Sequence, residues 1–399
     1  MNSATVPNRH YFLDWLRIAA FGLLILYHVG MYYVSWDWHV KSPFAGPALE
    51  PWMRLSSPWR LSLLFLVSGA AVSMMLTRDA GRSFVRSRSR RLLLPLLFGM
   101  AVIVPPQAYF EVVHKFGYAG TYLDFLGLYF RGAGDFCAGT RCLILPTWNH
   151  LWFVAYLWVY CVLLWALLQW RPGSLDGAAR LSARWLAGPG LVLWPLAVLA
   201  ALRIALAGRF PSTHALVDDW FNHAQYLAVF VLGAAWARQP SVWPRIETLR
   251  WWALVIALAG WATMLLLSTR HATPSAAPAV GVLLWRVAHA TAQWCAILAA
   301  LGFAHRHLNA GHRLHRTLVD AVFPVYILHQ TLIVLLSQAL RPLGWMPAVQ
   351  GPLLVLGTFV LSFAGYEAVR RVRVLRPWFG LSDDTRPRVI TSPCSRQLM

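Results

Sequence analysis

The chain has 399 residues, of which 58% are hydrophobic and only 13% charged, and it carries 22 tryptophans; this composition excludes a soluble globular protein. The formal charge of +20 comes from arginines spread between apolar stretches, not from one basic domain. That distribution excludes a nucleic-acid-binding module and makes the excess a signal of membrane topology.

Ten apolar stretches are long enough, at about 17 to 25 residues, to cross about 30 Å of hydrocarbon. They are 12–34, 56–77, 92–111, 148–169, 190–207, 221–238, 250–269, 282–303, 318–339 and 350–370. The fifth is weakened by Pro195 and Arg203 and the eighth by Arg286 and His289, while the short run from Tyr122 to Phe130 reads as a re-entrant or interfacial helix. Arginine is densest from Arg78 to Arg91 and again from Arg370 onward, in segments that an inward N-terminus would keep inside. The expected fold is an all-α integral membrane protein with about ten transmembrane helices, one domain over residues 1–381, a polar tail over 382–399, and both termini cytoplasmic. The first span shows no cleavage pattern and is expected to stay.

That first span departs from a plain hydrophobic helix. Asp14 and Arg17 stand at its start and His28 inside it, and ionisable groups in a membrane span are candidates for function. Arg17 and His28 are eleven residues apart, which at about 100° and 1.5 Å per residue sets them within about 20° of one face and roughly 16 Å apart along the axis. The plainer alternative is a histidine bonded to a neighbouring helix and an arginine reaching to the interface.

Beyond this span, Trp36-Asp37-Trp38-His39 joins aromatic rings to hydrogen-bonding groups, suited either to gripping a sugar or to an interfacial aromatic belt. Cys137 and Cys142 enclose four residues in the loop 112–147, either as a disulfide permitted by an oxidising compartment or as two thiols. Asp218 and Asp219 read as the start of a helix. The run His305, Arg306, His307, His312, Arg313 and His315 lacks the acids and thiols of a metal site and reads as a polar loop.

Arg17 followed by ten residues and then His28 on a first transmembrane helix, with Leu64 to Gly69 (LFLVSG), the arginine loop ending at Arg88 to Pro95, His150-Leu-Trp-Phe153 and Tyr326-Ile-Leu-His329-Gln, resembles the membrane enzymes of acyltransferase family 3 over most of the chain. Trp38-His39-Val40, Asn149-His-Leu-Trp-Phe and Tyr366-Glu367 are most similar to the branch of that family that succinylates osmoregulated periplasmic glucans. The resemblance implies a bacterial inner-membrane O-acyltransferase with no bound cofactor and no metal, using acyl-coenzyme A (succinyl or acetyl) as substrate and a glycan hydroxyl as acceptor. It makes His28 the essential group, as general base or transient acyl carrier, with Arg17, nearer the cytoplasmic end of the same face, to hold the thioester carbonyl, a donor phosphate or Asp14. Arg88 and Arg91 match the family's paired arginines and, with Arg82 and Arg86, suit donor phosphates; the same loop also reads as an anchor on anionic lipid. Trp38, His39, His150 and His329 would stand on the acceptor side. Acetylation of a surface polysaccharide, a lipid-linked sugar or a small metabolite is the alternative within the class, and a glycan or glycolipid transporter lined by Arg17 and His28 is the alternative outside it.

Overall fold

The computed structural model describes residues 10–77, 81–138, 141–270 and 278–382. Arg78 and the tail from residue 383 lie outside the described residues. The described chain is helical apart from one two-residue hairpin.

Helix α1, Tyr11–Tyr33, is the axis of the molecule: it packs chiefly against four helices introduced below and buries Phe12, Leu16, Ala20, Leu24, Ile25 and Val29. Its C-terminal end is closed by Lys41, whose Nζ donates to the carbonyls of Met31 and Val34, each at 2.6 Å; a cation there meets the negative end of the helix dipole. Pro47–Leu76 forms the second membrane-length segment, made of a 3-10 turn, α2 (Glu50–Ser56) and α3 (Arg60–Leu76). The arginine run is not a loop: α4, Arg82–Phe98, already begins at Arg82, so these arginines form the first turns of a helix. A π-helical turn, Gly99–Ile103, follows and leads with a 45° bend into α5, Pro105–Phe116. Pro105 and Pro106 have no amide hydrogen to continue the ladder, and the break is absorbed by the Val104 amide donating to the Gly99 carbonyl at 2.8 Å. The bend aims the polar residues of α5 inward.

Helix α6, Tyr122–Arg131, is ten residues long and is started by a reciprocal Thr121/Asp124 capping box. Beyond it β1 (Cys137–Ala138) and β2 (Arg141–Cys142) pair antiparallel, and Cys137 and Cys142 are joined as a disulfide. Next come α7 (Trp152–Trp170), α8 (Ser174–Trp185), α9 (Gly190–Leu206), α10 (Trp220–Trp236), α11 (Val242–Arg270), α12 (Ala279–His307), α13 (His315–Leu340) and α14 (Pro347–Arg371). α1 is held between α13, α12, α3 and α14. Each of the ten expected apolar stretches falls on a helix, but the count of ten is not reached. Among the described residues, seven helical segments are long and apolar enough to cross a membrane, and nine if the bent pairs α4/α5 and α8/α9 each count as one. α10 has 17 residues, about 25 Å of helix against about 30 Å of hydrocarbon. α11 and α14 are only 22% buried over their apolar windows, so they form the periphery with apolar side chains facing outward.

The arginines that weaken the fifth and eighth stretches are each met by a partner, Arg203 buried and Arg286 half-buried. Arg203 is buried over the ring of Phe221 at 4.9 Å, and Arg286 donates to the Ile204 carbonyl at 3.1 Å, tying α12 to α9. Asp219 does more than begin α10. It is fully buried, accepting from the Tyr156 hydroxyl at 2.5 Å and the His214 amide at 3.1 Å. Among the described residues no group of three or more His, Cys, Asp or Glu is arranged to hold a metal ion; His305 instead bonds Glu247 at 2.7 Å.

The glycine of LFLVSG has a packing role. A Cβ on Gly69 would lie 1.9 Å from the Phe230 carbonyl oxygen, and one on Gly233 would lie 2.0 Å from that of Leu66, so α3 and α10 cross backbone to backbone through small residues. Gly69→Val is therefore expected to destabilise the fold by about 1 to 3 kcal/mol or more, read as a lower melting temperature of purified protein in detergent. An unchanged melting temperature would reject this close crossing.

Both described ends of the chain lie at one end of the bundle. His10 and Arg91 border the same cavity, and Gly380 packs against the Arg91 backbone.

Candidate active site

Arg17, Phe21, Leu24 and His28 recur at three- and four-residue spacings along α1, the spacing of one helical face. Two cavities border that face in succession. The first, of about 830 Å³, takes Asp14 and Arg17 from α1, Arg88 and Arg91 from α4, and apolar walls from α3, α7 and α13. The second, of about 490 Å³, takes Tyr27 and His28 from α1, Trp38 and His39 from the loop after it, Arg60 from α3, Glu111 from α5 and His150 from the turn before α7. Phe21 and Phe153 line both. Their rings meet edge to face at 6.4 Å, and Tyr326 stands 5.1 Å from Phe21, so aromatic rings stand between the two chambers.

The protonation pattern of the histidines follows from their partners. Nδ1 of His329 lies 2.5 Å from the Tyr326 carbonyl, which can only accept, so Nδ1 carries the hydrogen. In the neutral ring Nε2 is then an acceptor, and it lies 2.8 Å from Nδ1 of His28. His28 must donate there. Its own Nε2 is left with a lone pair, in a ring that borders the second cavity. The two imidazoles lie edge to edge and nearly coplanar, with centroids 5.0 Å apart and planes 7° apart, as an in-plane hydrogen bond requires, and His329 is fully buried. A backbone carbonyl on α13 thus sets the tautomer of a histidine on α1 through one intervening ring.

A second chain of bonds holds the opposite wall. His150 Nε2 donates to the Ile327 carbonyl at 3.1 Å, and the Tyr326 hydroxyl donates to the His150 carbonyl. Gln330 donates to His39 Nε2 at 2.8 Å and to Gln107 Oε1 at 3.0 Å, so His39 presents its Nδ1 hydrogen to Glu111 at 2.5 Å. Glu111 also pairs with Lys115 at 2.9 Å, and Lys115 with Asp37 at 2.7 Å. Asn149 and Thr331 complete the network through Gln107 at 3.1 and 2.6 Å. On the loop before α10, His214 is stacked on Trp152 at 4.3 Å and its pKa is held below the ordinary value by burial, with Asp219 pulling the other way. Burial also lowers Lys41 to about 8.

The structure therefore brings His28, His39, His150 and Trp38 around one chamber, with His329 buried behind His28 and bonded to it, and Arg17, Arg88 and Arg91 around the other. Arg17 is 3.5 Å from Asp14. Arg82 and Arg86 are exposed and border neither chamber. Sequence alone assigns no site role to Gln107 and Glu111, whose polarity within an apolar stretch is the available signal, or to Gln330, which enters only as the end of the Tyr326-Ile-Leu-His329-Gln motif. Arg60, within the stretch 56–77, is given no role; the structure places it at the start of α3, 5% exposed.

An acyltransferase domain, that of acyltransferase family 3, matches residues 10–367. Glucans biosynthesis protein C of Escherichia coli O17:K52:H18 is 24% identical over 393 residues, covering 92% of this chain and 93% of that protein. The proteins of the same name from Salmonella heidelberg and Salmonella typhimurium are 25% and 26% identical, each over 62% of this chain and 63% of theirs. No solved structure matches the chain. With the domain running through every helix that builds the two chambers, this multi-pass membrane protein belongs to acyltransferase family 3 and is an acyltransferase.

Proposed function

We propose that the protein takes an acyl group from acyl-coenzyme A at the cytoplasmic face of the bacterial inner membrane and delivers it to a glycan hydroxyl on the periplasmic side. The donor of first choice is succinyl-coenzyme A and the acceptor of first choice an osmoregulated periplasmic glucan; the name of the relatives, glucans biosynthesis protein C, supports a glucan as the acceptor. The observation that carries the proposal is the pair of chambers strung along one face of α1, arginines in the first and His28 in the second, divided by Phe21 and Phe153.

Guanidinium groups in the first chamber suit the phosphates of the nucleotide, and the arginine-rich end of the bundle is the end expected to face the cytoplasm. His28 lies roughly 16 Å further along the helix axis than Arg17. Only the slender pantetheine arm needs to pass the aromatic partition; the nucleotide stays behind. The acceptor approaches from the side of Trp38 and His39. As its hydroxyl oxygen bonds to the acyl carbonyl carbon, Nε2 of His28 takes the hydroxyl proton. The carbon–sulfur bond then breaks, and the leaving thiolate recovers the proton to give free coenzyme A. The same lone pair can first take the acyl group itself and pass it to the hydroxyl in a second step.

In sealed vesicles of known orientation, labelled acyl-coenzyme A on the arginine side is expected to label glycan on the opposite side, with free coenzyme A remaining where it was added. Labelling that requires donor on the glycan side would reject the route. Glycan moved across without modification would identify a transporter.

A further inference from the structure

We infer that Arg60 is the acyl-chain specificity residue of the second chamber, binding the distal carboxylate of a dicarboxylic acyl group. The inference rests on the reading of that chamber as the place of acyl transfer.

Arg60 opens α3 and is 5% exposed. Its guanidinium lies over the ring of Tyr27, with Cζ 3.3 Å from the ring centroid. Tyr27 neighbours His28 on α1, their ring centroids 6.1 Å apart, so one side chain separates the guanidinium from the imidazole. Among the described residues no carboxylate forms an ion pair with Arg60, and its Nε and Nη1 have no hydrogen-bond partner. The two acids of the chamber are engaged elsewhere: Glu111 with His39 and Lys115, Asp37 with Lys115.

A buried guanidinium is costly unless an anion meets it. The face of a tyrosine offsets only part of that cost, about 2 kcal/mol at a desolvated site. The remaining donors call for an acceptor that arrives with the substrate. An acetyl group brings no charge to the chamber. A succinyl or similar acyl group brings a permanent carboxylate on a short chain, whose oxygens suit the planar donor array of arginine. With the thioester carbon at His28, such a chain has Arg60 within the same walls. Transfer itself is unchanged: the hydroxyl oxygen displaces the thiolate, its proton passes through His28 to sulfur, and the distal carboxylate keeps its charge throughout.

The test is the ratio of kcat/KM for succinyl-coenzyme A over acetyl-coenzyme A in purified protein. Arg60→Gln is expected to lower that ratio roughly 100-fold, the scale of losing a charge-assisted pair, and Arg60→Lys, which keeps the charge without the fork, about tenfold. A fall shared equally by both donors, as from an oxyanion contact or a packing defect, overturns the assignment, as does an unchanged ratio. Calorimetric binding of S-succinyl- and S-acetyl-N-acetylcysteamine to wild-type protein reads the same preference without turnover. Equal affinities overturn the Arg60 assignment even if transfer proceeds. A succinyl preference that Arg60→Lys weakens upholds it even if neither coenzyme A thioester is turned over, in which case the transfer reading of His28 alone fails.

Discussion

Replacing His28 by alanine is expected to reduce acyl transfer by roughly 1000-fold or more, since the group removed is the proposed base or acyl carrier. The protein should still insert and melt normally, because the substitution deletes one hydrogen bond, to His329, from an extensively packed bundle. Initial rates with acyl-coenzyme A and glycan, beside a thermal melt of the same preparation, check both statements. Normal turnover in folded His28→Ala would end the assignment. His329 is a positioning residue in this scheme, so His329→Leu should lower kcat about 10- to 100-fold with little change in either KM, by releasing the His28 ring to the other tautomer. His329→Gln still offers an acceptor oxygen to the His28 Nδ1 hydrogen and should restore part of the loss. A purely structural role for His329 would give no such rescue.

The double change Arg88→Ala with Arg91→Ala is expected to weaken coenzyme A binding by roughly 100-fold or more, at about 1.5 to 3 kcal/mol for each charge-assisted hydrogen bond to phosphate that is removed. KM for the glycan should be little affected, because the aromatic partition separates these residues from the acceptor chamber. Calorimetry in detergent micelles gives the first quantity and steady-state kinetics the second. The corresponding change at Arg82 and Arg86 is the contrast, for those side chains are exposed and border neither chamber. A comparable loss at both pairs would mean that general positive charge, and not the chamber, holds the donor. No loss at Arg88 and Arg91 would return the whole run to an anchor on anionic lipid.

The sequence by itself determined the class. Runs of apolar residues long enough to span a bilayer can fold only as helices there, because every backbone amide and carbonyl must be bonded within the segment. It also determined that Arg17 and His28 share a face, since both sit on one unbroken helix with a constant turn per residue. It could not determine which breaks are loops and which are bends. The arginine run lost its reading as a loop because α4 begins at Arg82, and the stretch 92–111 became two helices because a pair of prolines interrupts the hydrogen-bond ladder. Nor could it show that His329, 301 residues from His28, stands against it with the tautomer set by Tyr326, or that Arg60 lies buried over Tyr27. Those relations depend on how α1, α3 and α13 are packed side by side. Helical periodicity fixes direction around one axis only, whereas the meeting of two side chains from different helices depends on the offset and rotation of both, which the packing of the whole bundle decides.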